Sequence, residues 1–582
     1  MINERLNLLR TKMCEAELDY YFINTNDYHM SEYIPEYFKT LRYFSGFSGS
    51  LGQLVVTFES AYLFVDGRYH GQADLEAGVY GIKVMKLGKE GVPSAVDFLI
   101  QNAKGAKVGV DGKCVSAAFV KALEAAKIEV SSVDIYSDII ENRAALSKDK
   151  LWAIDDKYVG YSRATKLDIV KRCLKDRTHI INNLESIAYL LNMRGNDIAY
   201  TPVFLAYMVF HKSEVYLFVD LERIDETDFA SLYNDGLIIR PYMEYYEFIK
   251  TIKRSVILLD DNKVNYETYK SLDKSNKLFF MRSIVEEMKA VKNKTEIANT
   301  KQAHIKDGVA MVKFLKWLKE SDKEGMSELD AKEKIDQIRM ENGCFDLSFN
   351  TIVGYNANAA MMHYSPSANK YTMLHNSGIL LVDSGGQYLN GTTDITRTIA
   401  LGEVDPEVKM WFTLVLKSMF NLQRAKFIEG MTCEQMDILA RKDLWARGVD
   451  YRCGTGHGVG HVLAVHEAPP NVRFRKGNGS DEAFKPGHVF SDEPGVYFEE
   501  RFGIRLENLM VCNKDIKNEY GQFLSFEFIT MAPLDLDLVD KEYLDKETVD
   551  ALNAYHQTVY ENLVPYLNEE EANFLKNATR SI

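Results

Sequence analysis

The sequence predicts an α/β protein: two related α/β domains, 1 to 150 and 151 to 290, followed by a third domain over 291 to 582. Three observations predict it. At 582 residues the chain is too long for a single hydrophobic core. Short apolar, β-prone runs alternate with amphipathic stretches through its first half. That first half also repeats itself, since Tyr62-Leu63-Phe64-Val65-Asp66 recurs letter for letter as Tyr216-Leu217-Phe218-Val219-Asp220.

In chain order, residues 3 to 18 form an amphipathic helix, with Leu6, Leu8, Leu9, Met13 and Leu18 near helical spacing. Asp19-Tyr20-Tyr21-Phe22-Ile23 is a strand. Leu54-Val55-Val56 and Tyr62 to Val65 form a hairpin, and Lys107-Val108-Gly109-Val110 another strand. The second domain echoes this plan: Leu167, Ile169, Val170 and Leu174 repeat the opening helix, and Leu258-Leu259-Asp260 matches Gly109-Val110-Asp111. Residues 283 to 320 read as one long helical stretch opening the third domain, with Asn293 and Glu296 in capping-box spacing. The segment from Val539 to Ile582 carries Leu552, Tyr555, Tyr560, Leu563 and Tyr566 at helix-like intervals, the pattern of a packing helix.

Composition narrows the function. With 46% hydrophobic and 26% charged residues, the chain is that of an ordinary soluble globular protein. A net charge of -14 argues against nucleic acid or an anionic membrane as partner. The seven cysteines are scattered without CxxC spacing, the pattern of reduced thiols in a cytoplasmic protein. The opening residues contain no apolar signal-peptide core, and no apolar run reaches transmembrane length.

Chemistry concentrates between Asp383 and Glu507. Ile379-Leu380-Leu381-Val382 is an apolar strand that delivers Asp383 at its tip, before the turn Ser384-Gly385-Gly386. Asp394 lies in the β-prone run Thr392 to Thr396, placed to pair back on that strand. His457 sits in a glycine-rich stretch, Glu493 before Pro494-Gly495, and Glu507 after Gly503-Ile504-Arg505-Leu506. Two strands with a turn near 499 to 502 would bring both glutamates to one place. Singly, each is an ordinary turn or loop residue. Together, four carboxylates in one place would repel unless cations lay between them. Oxygen-rich ligation with one imidazole suits two divalent ions, Mn2+ best, with Zn2+, Co2+ or Fe2+ as alternatives. His457 and His461 have the i, i+4 spacing of a helical zinc pair, but the glycines at 454, 456, 458 and 460 oppose a helix. GTGHGVG fits no G-x-G-x-x-G register, and no HExxH occurs.

This constellation resembles the pita-bread metallopeptidases: a strand Asp, a second Asp eleven residues on, a His among glycines, a Glu in E-P-G and a Glu in I-R-x-E. Within that superfamily the chain is most similar to the long Xaa-Pro aminopeptidases (aminopeptidase P). SGFSGS, VDGRY, MRGNDI, MHYSP, GTGHGVGHVLAVHE and EPGVY spread the likeness over nearly the whole length. The resemblance implies two creatinase-like N-terminal domains before a pita-bread catalytic domain. It makes Asp383, Asp394, His457, Glu493 and Glu507 the metal ligands. It makes His363 and His466 groups that bind substrate and move protons, and Glu493 the proton acceptor. Tyr497 and Arg505 line the proline pocket, although Arg505 equally suits pairing with a carboxylate, and His461 is a weaker substrate-site candidate. Two ions would lower the pKa of a shared water toward ~7 for attack on the peptide bond before proline. The implied partners are short peptides with proline second and a second copy of the chain, the C-terminal segment contributing to the dimer.

Two positions depart from the family pattern. Relatives often carry an Arg four residues before the S-G-F serine; here that place is Leu41, with Arg42 beside it. Relatives commonly have His where Cys453 stands; the expected role of Cys453 is that of a neutral thiol filling space, the alternative being a thiolate beside the two cations. The rival readings are a prolidase, expected to be shorter, a methionine aminopeptidase, and a binding protein on the same fold that has lost its ligands.

Overall fold

The computed structural model describes residues 2–477 and 479–582. By internal contacts the chain forms two compact units: Met1–Ile154 with Tyr161–Val285, and Asp155–Gly160 with Glu286–Ile582.

The first unit holds two six-stranded sheets of identical design. In the first, Tyr20–Asn24 is central, antiparallel to Gln53–Val56 and parallel to Lys107–Val110. In the second, Thr178–Ile181 is central, antiparallel to Ala206–His211 and parallel to Val256–Leu259. The outer strands follow the same order and sense in both. The repeated pentapeptide falls on equivalent strands, Ala61–Val65 and Glu214–Val219. Both are apolar and mostly buried, each lying inside its mixed sheet and not at an edge. The opening helix Ile2–Glu15 buries Leu6, Leu9 and Met13, three residues of the stripe read from the sequence.

Where the sequence predicts one long helix over 283 to 320 there are two, Ile284–Ala290 and Lys294–Glu320. Asn293 makes the break. Its side chain accepts from Thr295 N and Glu296 N, and Glu296 reaches back to Asn293 N, so a new helix starts there. Three antiparallel strands follow, with Ile379–Ser384 between Ile352–Tyr355 and Ile395–Ala400. A four-stranded sheet runs Lys426–Ile428, Gly521–Phe528, Asn508–Asn518 and Val489–Asp492. The helices Pro406–Gln423 and Cys433–Trp445 bury Phe412, Val415, Phe420 and Met436 against Phe490, Ile504 and Phe526. The C-terminal segment forms the helix Lys546–Leu563, burying Leu552, Tyr555 and Leu563, then Glu569–Ala578. No helix among the described residues is long and apolar enough to cross a membrane.

Candidate metal centre

Asp383 is the fifth residue of the strand Ile379–Ser384, opposite Thr396 in the register of Ile395–Ala400. The chain then turns at Gly385, where an added Cβ would lie 2.0 Å from the Thr393 carbonyl oxygen. Only glycine allows that approach, and it brings Asp394, one residue before the returning strand, back beside Asp383. The strands Gly495–Phe498 and Phe502–Arg505 pair with Gly495 opposite Arg505, so Glu493 and Glu507 each sit two residues beyond the same end of the hairpin. Glu493 N donates to Thr455 O at 2.7 Å, and Glu507 N to Thr396 O at 3.1 Å.

His457 comes from a short ribbon, Gly456–His457 paired with Asn471–Val472. An added Cβ at Gly456 would lie 1.8 Å from the Ser491 carbonyl oxygen, so the ribbon presses directly on the Glu493 strand. His457 N donates to Ser491 Oγ at 3.0 Å. Its Nδ1 lies 3.0 Å from Gly458 O. A carbonyl only accepts, so Nδ1 carries the hydrogen. The lone pair of the neutral ring is then on Nε2, which faces Glu493 Oε1 at 3.3 Å and Asp394 Oδ2 at 3.6 Å.

Asp394, His457 and Glu507 offer ligand atoms within 4.8 Å of one another. Glu493 joins them through His457. Asp383 is turned toward Arg505, whose Nη2 donates to Asp383 Oδ2 at 2.5 Å. Burial, and then Glu507 and Asp383, push Asp394 well above the usual carboxylate range. Burial followed by Glu493 and Asp383 does the same to Glu507. Asp383 Oδ1, Asp394 Oδ1 and Glu507 Oε1 are all buried without a hydrogen-bond partner. Buried oxygens of this kind are expensive unless something neutralises them. Divalent cations fit this donor set: carboxylate oxygens aimed inward and one imidazole nitrogen fixed by its other hydrogen bond.

The remaining expected residues divide. His466 packs edge-on to His457 with ring centroids 4.3 Å apart. His363 is half-buried on the turn 361–364, whose Met362 carbonyl accepts from Arg505 Nη2 at 3.3 Å. Arg505 Nη1 donates to Tyr497 OH at 2.9 Å, so Arg505 ties a carboxylate to the tyrosine. His461 stands apart from the cluster: Nδ1 meets Thr300 Oγ1 at 3.0 Å and Nε2 meets Tyr158 O at 2.9 Å, which spends both nitrogens on holding the loop. Cys453 is half-buried against the core, and its carbonyl accepts from Arg441 Nη2 at 2.7 Å. Arg42 pairs with Glu36.

Three supporting residues escaped the sequence reading. Thr396 Oγ1 donates to Glu507 Oε2 at 2.7 Å and accepts from Arg505 Nε at 3.2 Å. Ser491 Oγ reaches both His457 N and Glu493 Oε1, the latter at 3.2 Å. Arg397 is 1% exposed and donates to neutral oxygens: Pro533 O, Thr396 O, Glu507 O, Asn508 Oδ1, Ala532 O and Tyr555 OH. The signal for Thr396 was present, because a period of two puts Asp394, Thr396 and Thr398 on one face.

Family models place this chain as follows. Residues 298–514 match metallopeptidase family M24, and 522–582 match the C-terminal region of peptidase M24. Residues 5–145 and 142–296 each match a creatinase/prolidase N-terminal domain. The probable Xaa-Pro aminopeptidase P of Pyrenophora teres f. teres is 36% identical over 597 residues, covering 97% of this chain and 90% of the relative. Xaa-Pro aminopeptidase 1 of Dictyostelium discoideum is 33% identical, covering 100% and 97%. The crystal structure of X-prolyl aminopeptidase from Caenorhabditis elegans, described as a cytosolic enzyme with a di-nuclear active site, superposes with a TM-score of 0.94. Its identity is 30%, over 100% of both chains.

Proposed function

The chain belongs to metallopeptidase family M24, with creatinase-like domains ahead of a pita-bread catalytic domain, and from that premise we propose that it is an Xaa-Pro aminopeptidase. It releases the first residue of peptides that carry proline second. The observation that carries the reading is the set of buried, partnerless oxygens on Asp383, Asp394 and Glu507 around His457. Asp383, Asp394, His457, Glu493 and Glu507 would hold two divalent ions, Mn2+ by preference and Zn2+ or Co2+ as alternatives. When bound, the ions supply a water of lowered pKa, toward ~7, and Lewis-acid polarisation of the scissile carbonyl.

The chain's own residues do the rest. Glu493, steadied by Ser491, takes a proton from the attacking water. His466, beside His457, and His363, on the turn held by Arg505, donate hydrogen bonds to the oxygen on which charge develops. They also deliver the proton that the proline nitrogen needs in order to leave, since this tertiary amide nitrogen departs as a secondary amine. Tyr497, fixed by Arg505, forms a wall for the proline ring. Proline lacks a backbone N–H and has a fixed φ, so recognition has to rest on such an apolar wall instead of an N–H contact.

The same reading includes domain divisions near 150 and 290, a cytoplasmic location, a homodimer, and short peptides as substrates. The like design of the two N-terminal sheets supports the divisions. The test uses protein supplied with Mn2+ and three substrates: Arg-Pro-Pro, Arg-Ala-Ala and the dipeptide Arg-Pro. Release of arginine from Arg-Pro-Pro and not from Arg-Ala-Ala is expected. Equal cleavage of the two tripeptides, or of neither, overturns the reading, and cleavage of Arg-Pro alone makes the protein a prolidase.

A further inference from the structure

Among the carboxylates buried completely outside the metal cluster, Glu328 stands nearest in sequence to the His363 turn. Glu328 is 0% exposed and is the first residue of the helix Glu328–Glu341. Among the described residues it makes no ion pair. Four groups donate to it instead. Tyr355 N reaches Oε1 at 2.7 Å. Asn358 Nδ2 reaches Oε1 at 2.9 Å and Oε2 at 3.2 Å. Tyr364 OH and Thr372 N each reach Oε2 at 2.8 Å. Glu328 N in turn donates to Thr372 O at 3.0 Å.

All four donors belong to one segment, 355–372, and His363 lies on it next to Tyr364. The carboxylate joins the start, middle and end of this segment. The helix N-terminus, where backbone N–H groups concentrate, stabilises its charge. The segment's other side is fixed as well. An added Cβ at Gly503 would lie 2.0 Å from Ala359 O, so the turn Asn356–Ala360 rests on the strand Phe502–Arg505. Arg505 also holds the Met362 carbonyl. His363 therefore hangs between two anchors, Glu328 through Tyr364 and Arg505 through Met362.

We infer that Glu328 is a positioning residue for His363, acting through Tyr364. This rests on the reading of His363 as a group that meets the substrate. A histidine that must meet a developing charge works only within a narrow range of positions, and a shift of about 1 Å can cost ~100-fold in rate. Glu328 sets that position without touching substrate or metal.

Two substitutions separate the parts. Tyr364→Phe removes one donor and keeps the ring, while Glu328→Gln keeps the shape and turns one acceptor into a donor facing donors. Tyr364→Phe is expected to lower kcat on Arg-Pro-Pro by about 10-fold, with metal content held, KM within about 2-fold and only a small fall in melting temperature from the one lost hydrogen bond. Glu328→Gln should lower kcat further, toward the level of His363→Ala. Adding Tyr364→Phe to His363→Ala should cost nothing more, because the two act on one group. A full further loss in that double variant, or wild-type kcat in Tyr364→Phe, overturns the inference. Wild-type kcat in His363→Ala alone overturns the role of His363 instead. Amide exchange gives an answer independent of turnover: Tyr355, Tyr364 and Thr372 should exchange faster in both variants, and unchanged protection counts against the inference. Should Glu328→Gln fail to fold, Tyr364→Phe and its double variant decide the question.

Discussion

Thr396 holds two opposite charges apart and in place. Its hydroxyl donates to Glu507 and accepts from Arg505. The metal-ligand candidates were legible in the sequence because each sits beside a signal of its own: an apolar strand, a Gly-rich ribbon, E-P-G, I-R-x-E. Their supports were not legible, because Thr396 and Glu507 meet across 111 residues and Glu328 and Tyr364 across 36. His461, a weaker substrate-site candidate in the sequence, has hydrogen bonds at both ring nitrogens to Thr300 and Tyr158. At this scale the proposed roles separate cleanly. Asp394→Asn takes an anionic ligand from the shared cluster, so metal content and activity should fall together. His466→Ala should cost ~100-fold or more in turnover while metal stays bound. Elemental analysis beside a rate assay reads both, and loss of metal from His466→Ala would move that residue into the ligand set.

Between elements, Arg397 joins the strand Ile395–Ala400 to the helix Lys546–Leu563. It reaches the carbonyl of Glu507 at 2.7 Å and the hydroxyl of Tyr555 at 3.1 Å. The sequence showed the helix through its apolar spacing, but the buried guanidinium it serves lies far upstream. The break between Ile284–Ala290 and Lys294–Glu320 was half legible: the capping box at Asn293 was read, while its power to restart a helix was not. Tyr555→Phe removes an acceptor from a fully buried cation. A loss of about 1–3 kcal/mol of stability is expected, together with weaker metal retention after dialysis, because the backbone of Glu507 shares that cation. An unchanged melting temperature would show that the remaining oxygens suffice.

For the molecule as a whole, the repeat was the most informative feature of the sequence, and it appears as two sheets with one strand order. The sequence could not show how many histidines fold into the interior uncharged. Burial lowers His29, His179 and His304 to about 4, and His488 and His556 to about 3. His556 illustrates why, since its Nε2 accepts from Leu534 N at 3.1 Å and a protonated ring could not. With the folded values depressed, the unfolded chain binds more protons below about 6.5. Stability is therefore full above that pH and is lost as pH falls toward the folded values. At pH 5 each such histidine costs about 2 kcal/mol. Melting temperatures measured with metal saturating should drop steadily from pH 7 to pH 5, and a flat profile would contradict this account.

The bond from Arg397 to Tyr555 also implies an order of events during synthesis. A ribosome delivers every one of the five cluster residues by Glu507, yet the cation behind Glu507 lacks one of its oxygens until Tyr555 has emerged. The full set of oxygens around the cation behind Glu507 therefore exists only once Tyr555 has been made, about fifty residues after the last of the five.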